Sequence, residues 1–160
     1  MPAIATMRQC LMDSHFGQAL SSQHLEVLLQ HVQHQQVLRG STVFAEGDSA
    51  DSLSVVCSGR IALEMHVPTS GSIRILTLGP RDVLGWSALV GDGHMSASAV
   101  ALVDTDLLQF PAEILKVLCE DDTQLGRHIM TQVAQILANR LRQTRLQLLD
   151  LFSQMEPADD

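Results

Sequence analysis

The chain has 160 residues, 46% of them apolar but only 3% aromatic, so a single domain with a core of Leu, Val, Ile, Ala and Met is expected. Ten basic against 18 acidic residues give a net charge of −8, which lacks the clustered basic footprint of a nucleic-acid binder. No window approaches the ~18 apolar residues of a membrane span, and the N-terminus lacks the apolar run of a signal peptide.

Residues 2–16 read as weakly helical, with Ile4, Met7, Leu11 and Met12 near one face. Ser21 or Ser22 then caps a stronger helix carrying Leu25, Leu28, Leu29 and Val32 at spacings of three and four. His24, His31 and His34 decorate it; His24, Leu28 and His31 share a face, which permits a metal site, but no carboxylate or Cys completes a ligand set. Solvent-facing or packing histidines are the simpler reading.

From Val37 the pattern changes. Eight of the ten glycines fall between Gly40 and Gly93 and punctuate short aliphatic and β-branched runs. The runs 37–38, 42–44, 53–57, 61–65 and 73–77 are predicted strands. Their turns carry Arg39-Gly40, Glu46-Gly47-Asp48, Ser58-Gly59-Arg60, Ser70-Gly71-Ser72 and Gly79-Pro80. The stretch 79–99 follows, with its Gly-Pro turn, Gly85 and small hydroxyl and methyl side chains, which let a backbone approach another strand or an anion closely. Residues 99–103 and 107–110 complete the strand series around an Asp104-Thr105-Asp106 turn. Short strands at near-regular spacing predict an antiparallel barrel or jelly roll.

Pro111 opens a short helix with Ile114, Leu115 and Leu118 apolar, and Glu120, Asp121 and Asp122 supply a cap for the next. From Thr123 to about Phe152 there is no proline and one glycine, Gly126. Met130, Ala134, Leu137, Leu141, Thr144, Leu148, Leu151 and Met155 alternate at spacings of four and three, a heptad seam that asks for a partner helix. Arg140, Arg142 and Arg145 flank it as ordinary margin charges. Cys10, Cys57 and Cys119 form no CxxC pair, and reduced thiols of a cytoplasmic protein are expected, with Cys57 buried on a strand.

The order of elements resembles the cyclic-nucleotide-binding domain of catabolite-activator-type regulators, kinase regulatory subunits and gated channels. The resemblance rests on Phe44-Ala45-Glu46-Gly47-Asp48, on Leu53 through Ile61, on Leu78 through Gly85, and on Ala97 through Leu108; it covers roughly residues 20–150. It implies a mainly β fold, a double-stranded β-helix or jelly roll of about eight strands, with N-terminal helices and a long C-terminal dimerisation helix. The expected layout is one domain over 1–155, the roll about 35–110 and the C-terminal helices 111–155, with an acidic tail at 156–160. The family's transcription factors add a helix-turn-helix after the long helix; this chain stops, and its Met1-Pro2 start and Pro157–Asp160 tail read as the ends of a complete small protein.

The resemblance also places a ligand pocket at Gly85, Trp86, Ser87, Ala88, Met95, Ser96 and Ala97. In the family's phosphate cassette a Glu follows the Gly and holds the ribose hydroxyl, and an Arg pairs with the cyclic phosphate. Here Trp86 stands in the Glu place and Met95 in the Arg place, while Gly85, Ser96 and Ala97 fit. Two lost charge-assisted contacts, ~1.5–3 kcal/mol each, weaken binding by ~100-fold or more. The indole either plugs or packs the core, or stacks on a ligand, and Arg60, Arg74 or Arg81 are the arginines available to substitute.

The expected function is therefore a non-enzymatic regulatory module, homodimeric through residues 130–151, acting through a protein partner with or without a non-standard ligand, with no cofactor expected. A cyclic-nucleotide receptor with rewired contacts, using Ser87, Ser96, Ser98 and a relocated Arg, is the alternative. A haem or metal sensor using His66 or His94 is a third. No nucleophile elbow, P-loop or HExxH motif is present, so no catalytic residue, nucleic-acid contact or membrane contact is expected.

Overall fold

A computed structural model describes residues 2–18 and 20–155; the expected acidic tail lies outside the described residues. Two helices, α1 (Ile4–Asp13) and α2 (Ser22–Leu29), precede eight strands. These are β1 (Gln33–Val37), β2 (Thr42–Phe44), β3 (Ser52–Ser58), β4 (Ile61–Val67), β5 (Gly71–Leu78), β6 (Val83–Leu84), β7 (Ser98–Ala101) and β8 (Thr105–Pro111). A single 3-10 turn (Trp86–Ala88) follows β6, and α3 (Ala112–Asp121) and α4 (Thr123–Met155) close the chain. All described pairings are antiparallel, in two four-stranded sheets ordered β1-β8-β3-β6 and β2-β7-β4-β5. The fold is a jelly roll with flanking helices.

Two cores share the first sheet. Between the sheets lie Val56, Ile61, Leu78, Leu84, Ala99 and Leu107; on the sheet's other face Leu53, Val55, Val83 and Leu108 pack with Leu28, Leu125 and Ile129 of the helices. Successive strand residues point to opposite faces, so Val55/Val56, Val83/Leu84 and Leu107/Leu108 each split between the cores. A sheet buried on both faces reads as an unbroken apolar run, which is why residues 53–57 lack alternation in sequence.

Several boundaries differ from expectation: α2 ends at Leu29, before His31, Val32 and His34, and Thr105 and Asp106, expected in a turn, open β8. β1 starts at Gln33 in a glutamine-rich segment whose strand conformation comes from pairing with β8 over Gln33–Val37, not from propensity. β6, two residues inside the 79–90 stretch, is held by Ser54 and Val55 of β3. Pro111 ends β8 and opposes Ser52, so α3 begins one residue later. Capping follows the sequence: Ser21 Oγ accepts from the His24 N–H at 3.1 Å, and Asp122 Oδ1 accepts from the Gln124 and Leu125 N–H groups at 3.1 and 3.2 Å.

The thiol expectation fails for two cysteines. Cys10 of α1 and Cys57 of β3 are joined as a disulfide across 47 residues of sequence, leaving Cys119 free. The cause is a bulge. The β3–β8 register slips between Val56 and Ser58, so Cys57 has no cross-strand partner and is half-buried under α1 instead of sealed in the sheet.

Candidate ligand cassette and helix junction

β6 delivers the chain to Gly85, which turns left-handed at φ 82°; a Cβ there would lie 2.5 Å from the Ser52 carbonyl oxygen. Only glycine serves at this close approach. The turn directs Trp86 away from the roll. Its half-buried side chain packs against the helix-side core, as do Leu89 and Val90, and a Cβ on Gly91 would meet its Cζ3 at 3.9 Å. The indole therefore does not plug the roll interior. Ser87 and Ala88 are buried, Ser96 is exposed, and Ala97 joins the inter-sheet core with Ala99 and Ala101.

Met95 is 5% exposed. Its backbone is strapped to the β2–β3 turn: the Gly47 N–H donates to the Met95 carbonyl and the Met95 N–H to the Asp48 carbonyl, both at 2.8 Å. The turn is fixed in its own right, since Asp48 Oδ2 accepts from the Ala45 N–H at 2.9 Å and Ser98 Oγ from the Glu46 N–H at 2.9 Å. Across residues 85–97 the only ionisable side chains are Asp92 and His94, both exposed. None of the three substitute arginines enters the roll core. Arg60 and Arg74 are exposed, and Arg81 donates from Nε to the Asp13 carbonyl at 2.7 Å.

The histidines are spread out. His24 Nε2 lies 2.9 Å from Asp122 Oδ2 and His34 Nε2 lies 2.9 Å from Asp106 Oδ1, joining distant elements in separate pairs. His66 and His94 are exposed, and among the described residues no group of three or more His, Cys, Asp or Glu is placed to hold a metal.

The arginine that the sequence left among margin charges is the one with a structural post. Arg140 extends the Ile129–Val133–Ile136 stripe of α4, half-buried, and donates to the Val83 carbonyl of β6. Burial pushes its pKa down from the usual arginine value, and the Asp82 carboxylate acts in the opposite direction. The spacing of four from Ile136 was the available signal. Beside it, β5 and α4 enclose a cavity of about 460 Å³, with Thr77 and Leu78 on one wall and Gln132, Asn139, Arg140 and Gln143 on the other. No residue from 85 to 97 lines this cavity.

α4 buries Leu125, Gly126, Ile129, Val133 and Ile136 in its own chain. At Gly126 a Cβ would come within 2.6 Å of the Cys119 carbonyl, so α3 and α4 pack backbone to backbone. The seam lies on another face. Met130, Ala134, Leu141, Thr144, Leu148 and Leu151 are exposed, Leu137 is half-buried, and every residue from 141 to 155 is exposed.

The profile of the cyclic nucleotide-binding domain family matches residues 34–122, more than half of the chain. The chain belongs to the cyclic nucleotide-binding domain family. It is 26% identical over 146 residues to a CRP-like cAMP-activated global transcriptional regulator of Mycobacterium tuberculosis, covering 91% of this chain and 63% of that protein. It is 33% identical over 138 residues to the cyclic AMP receptor protein of Thermus thermophilus, covering 84% of this chain and 60% of that protein. The chain thus spans less than two thirds of the length of these relatives. A cyclic nucleotide-binding domain from Methylobacillus flagellatus shares the fold at a TM-score of 0.80 and 21% identity, covering 92% of this chain and 83% of that one. The family is regulatory. Among the described residues no helix is long and apolar enough to cross a membrane.

Proposed function

We propose that this chain is a non-enzymatic, cytoplasmic regulatory module of the family that pairs with a second copy through α4 and acts on a protein partner. In this reading its roll does not hold a cyclic nucleotide through the usual acid and arginine. The observation that carries it is the fate of the two key positions: Trp86 is turned into the helix-side core and Met95 is buried beneath the 46–50 turn. Neither can replace a charge-assisted contact to ribose or phosphate. State is read out at the junction where Arg140 ties α4 to β6, because a change in β6 or the 79–83 turn moves the anchor of the exposed helix half. Any ligand or partner that sets this state must bind its two forms unequally.

A genuine receptor is the second reading; because no residue from 85 to 97 lines the amide- and guanidinium-lined cavity between β5 and α4, it would hold the nucleotide there rather than through Ser87, Ser96 and Ser98. Calorimetric titration with cyclic AMP and cyclic GMP separates the two. No saturable heat is expected at micromolar ligand. Micromolar or tighter binding by the unaltered chain, abolished by Arg140→Met, would establish the second reading and overturn the first.

A further inference from the structure

The Cys10–Cys57 disulfide lies open to small molecules. Both residues are half-buried, and both line a cavity of about 570 Å³ whose wall also carries His34, Ser58 and Asp106. That wall is polar and ordered: Ser58 Oγ donates to Asp106 Oδ2 at 2.9 Å, and His34 Nε2 is 2.9 Å from Oδ1 of the same carboxylate. A small thiol can reach the sulfurs without the chain unfolding, which a disulfide sealed in a core does not permit.

Little else holds α1. It buries only Leu11 fully, has no side-chain cap at its N-terminus, and forms one exposed ion pair, Arg8 with Glu26. Its C-terminal end is locked to the turn before β6: Arg81 Nε donates to the Asp13 carbonyl at 2.7 Å, and the His15 N–H donates to the Arg81 carbonyl at 3.0 Å. Arg81 is the one non-glycine described at positive φ, 80°, a conformation that persists only where its surroundings impose it. Asp82 is next in sequence, and the carbonyl of Val83 after it accepts from Arg140 of α4. The disulfide, α1, Arg81 and α4 are therefore joined through one short stretch of chain.

We propose that Cys10 and Cys57 are a reversible thiol–disulfide exchange site whose state sets how firmly α1 clamps the 79–83 turn, whatever the roll holds. The co-reactant is a dithiol. One of its thiolates attacks a protein sulfur, the Cys10–Cys57 bond breaks, and a mixed disulfide forms. Its second thiol displaces the protein sulfur, so two electrons and two protons pass to Cys10 and Cys57 and the reductant leaves as a disulfide. Reaction with a disulfide oxidant reverses the step. In a reducing compartment an accessible pair of this kind works as a redox sensor rather than a permanent staple.

The full chain is exposed to dithiothreitol under native conditions, quenched with acid, and its free thiols are counted by maleimide mass labelling in denaturant with peptide mapping. One thiol, Cys119, is expected before reduction and three after, returning to one with oxidised glutathione. Amide exchange over 4–13 and 79–83 should quicken about tenfold in the dithiol form, and Cys57→Ser should reproduce that without reductant. The proposal is overturned if Cys10 and Cys57 are free and oxidised glutathione does not join them, if they resist reduction until urea unfolds the chain, or if exchange over the two segments is equal in both forms.

Discussion

Replacing Arg140 by Met tests the junction between roll and helix. The substitution keeps most of the apolar stem and removes the guanidinium. It leaves the Val83 carbonyl, on a residue 1% exposed, without that donor. A charge-assisted hydrogen bond contributes about 1.5–3 kcal/mol; because Arg140 is only half-buried, solvent screening lowers this to about 1–2 kcal/mol. For a chain of this size each kcal/mol shifts the melting temperature by roughly 2–4 °C, so a fall of roughly 2–8 °C is expected at fixed protomer concentration. Beyond Ile136 the other described hydrogen bond from α4 to the roll is Gln147 Nε2 donating to the Ile75 carbonyl at 3.1 Å, with Leu137 packed against the helix-side core. Amide exchange over 137–150 should therefore quicken more than over 123–136. Circular dichroism melts and hydrogen-exchange mass spectrometry measure both. Arg142→Met, at an exposed position on the same helix, is the control and should shift stability by less than ~0.5 kcal/mol. An Arg140→Met protein that melts within about 1 °C of the parent, with unchanged exchange, would show that the junction is not where helix and roll are coupled.

Other outcomes follow from the same structure. Leu141 and Leu148 are 53% and 49% exposed, so burying the remainder of each in a twofold pair contributes about 1 kcal/mol per side chain, about 4 kcal/mol over four. Leu141→Asp with Leu148→Asp should weaken pairing by roughly 1,000-fold and sediment as a monomer, and a persistent dimer would place the interface elsewhere. Gly85→Ala should destabilise by more than the ~1–2 kcal/mol of a left-handed alanine, because its Cβ also meets the Ser52 carbonyl. Gly40→Ala, at φ 84° with nothing within 4 Å, incurs only the backbone cost, and equal melting shifts for the two would refute the close approach at Gly85. The Leu125 N–H, with help from His24 and the Gln124 N–H and against desolvation, holds the Asp122 pKa below the usual carboxylate range. Its contribution is present above the usual aspartate value, about 3.9, and is lost as pH falls through the lowered folded value. Urea titrations should find the stability gap between parent and Asp122→Asn shrinking from pH ~5 to pH ~3, and a constant gap would count against the assignment.

Local pattern decides what repeats along one element. The alternation of four and three from Met130 to Met155 places a continuous apolar face on α4 before any fold is known, because helix periodicity needs no neighbour. The roll's strands and glycine turns were legible for the same reason, whereas the reading of Trp86 and Met95 in the Glu and Arg places rested on the resemblance. Register and facing are long-range matters. Glutamines at 33–36 become strand because β8 supplies the hydrogen-bond partners. The Trp86 ring goes to the helix side because Gly85 turns left-handed under Ser52. Arg140 finds Val83, 57 residues away, because α4 folds back over the first sheet. Cys57 meets Cys10 because one bulge frees it from the ladder under α1. Composition and periodicity thus pointed to a jelly roll and a long helix with an apolar face left over. Which side chains meet across that roll was decided by the tertiary structure alone, since a contact between distant residues depends on how two sheets and four helices share a fixed volume.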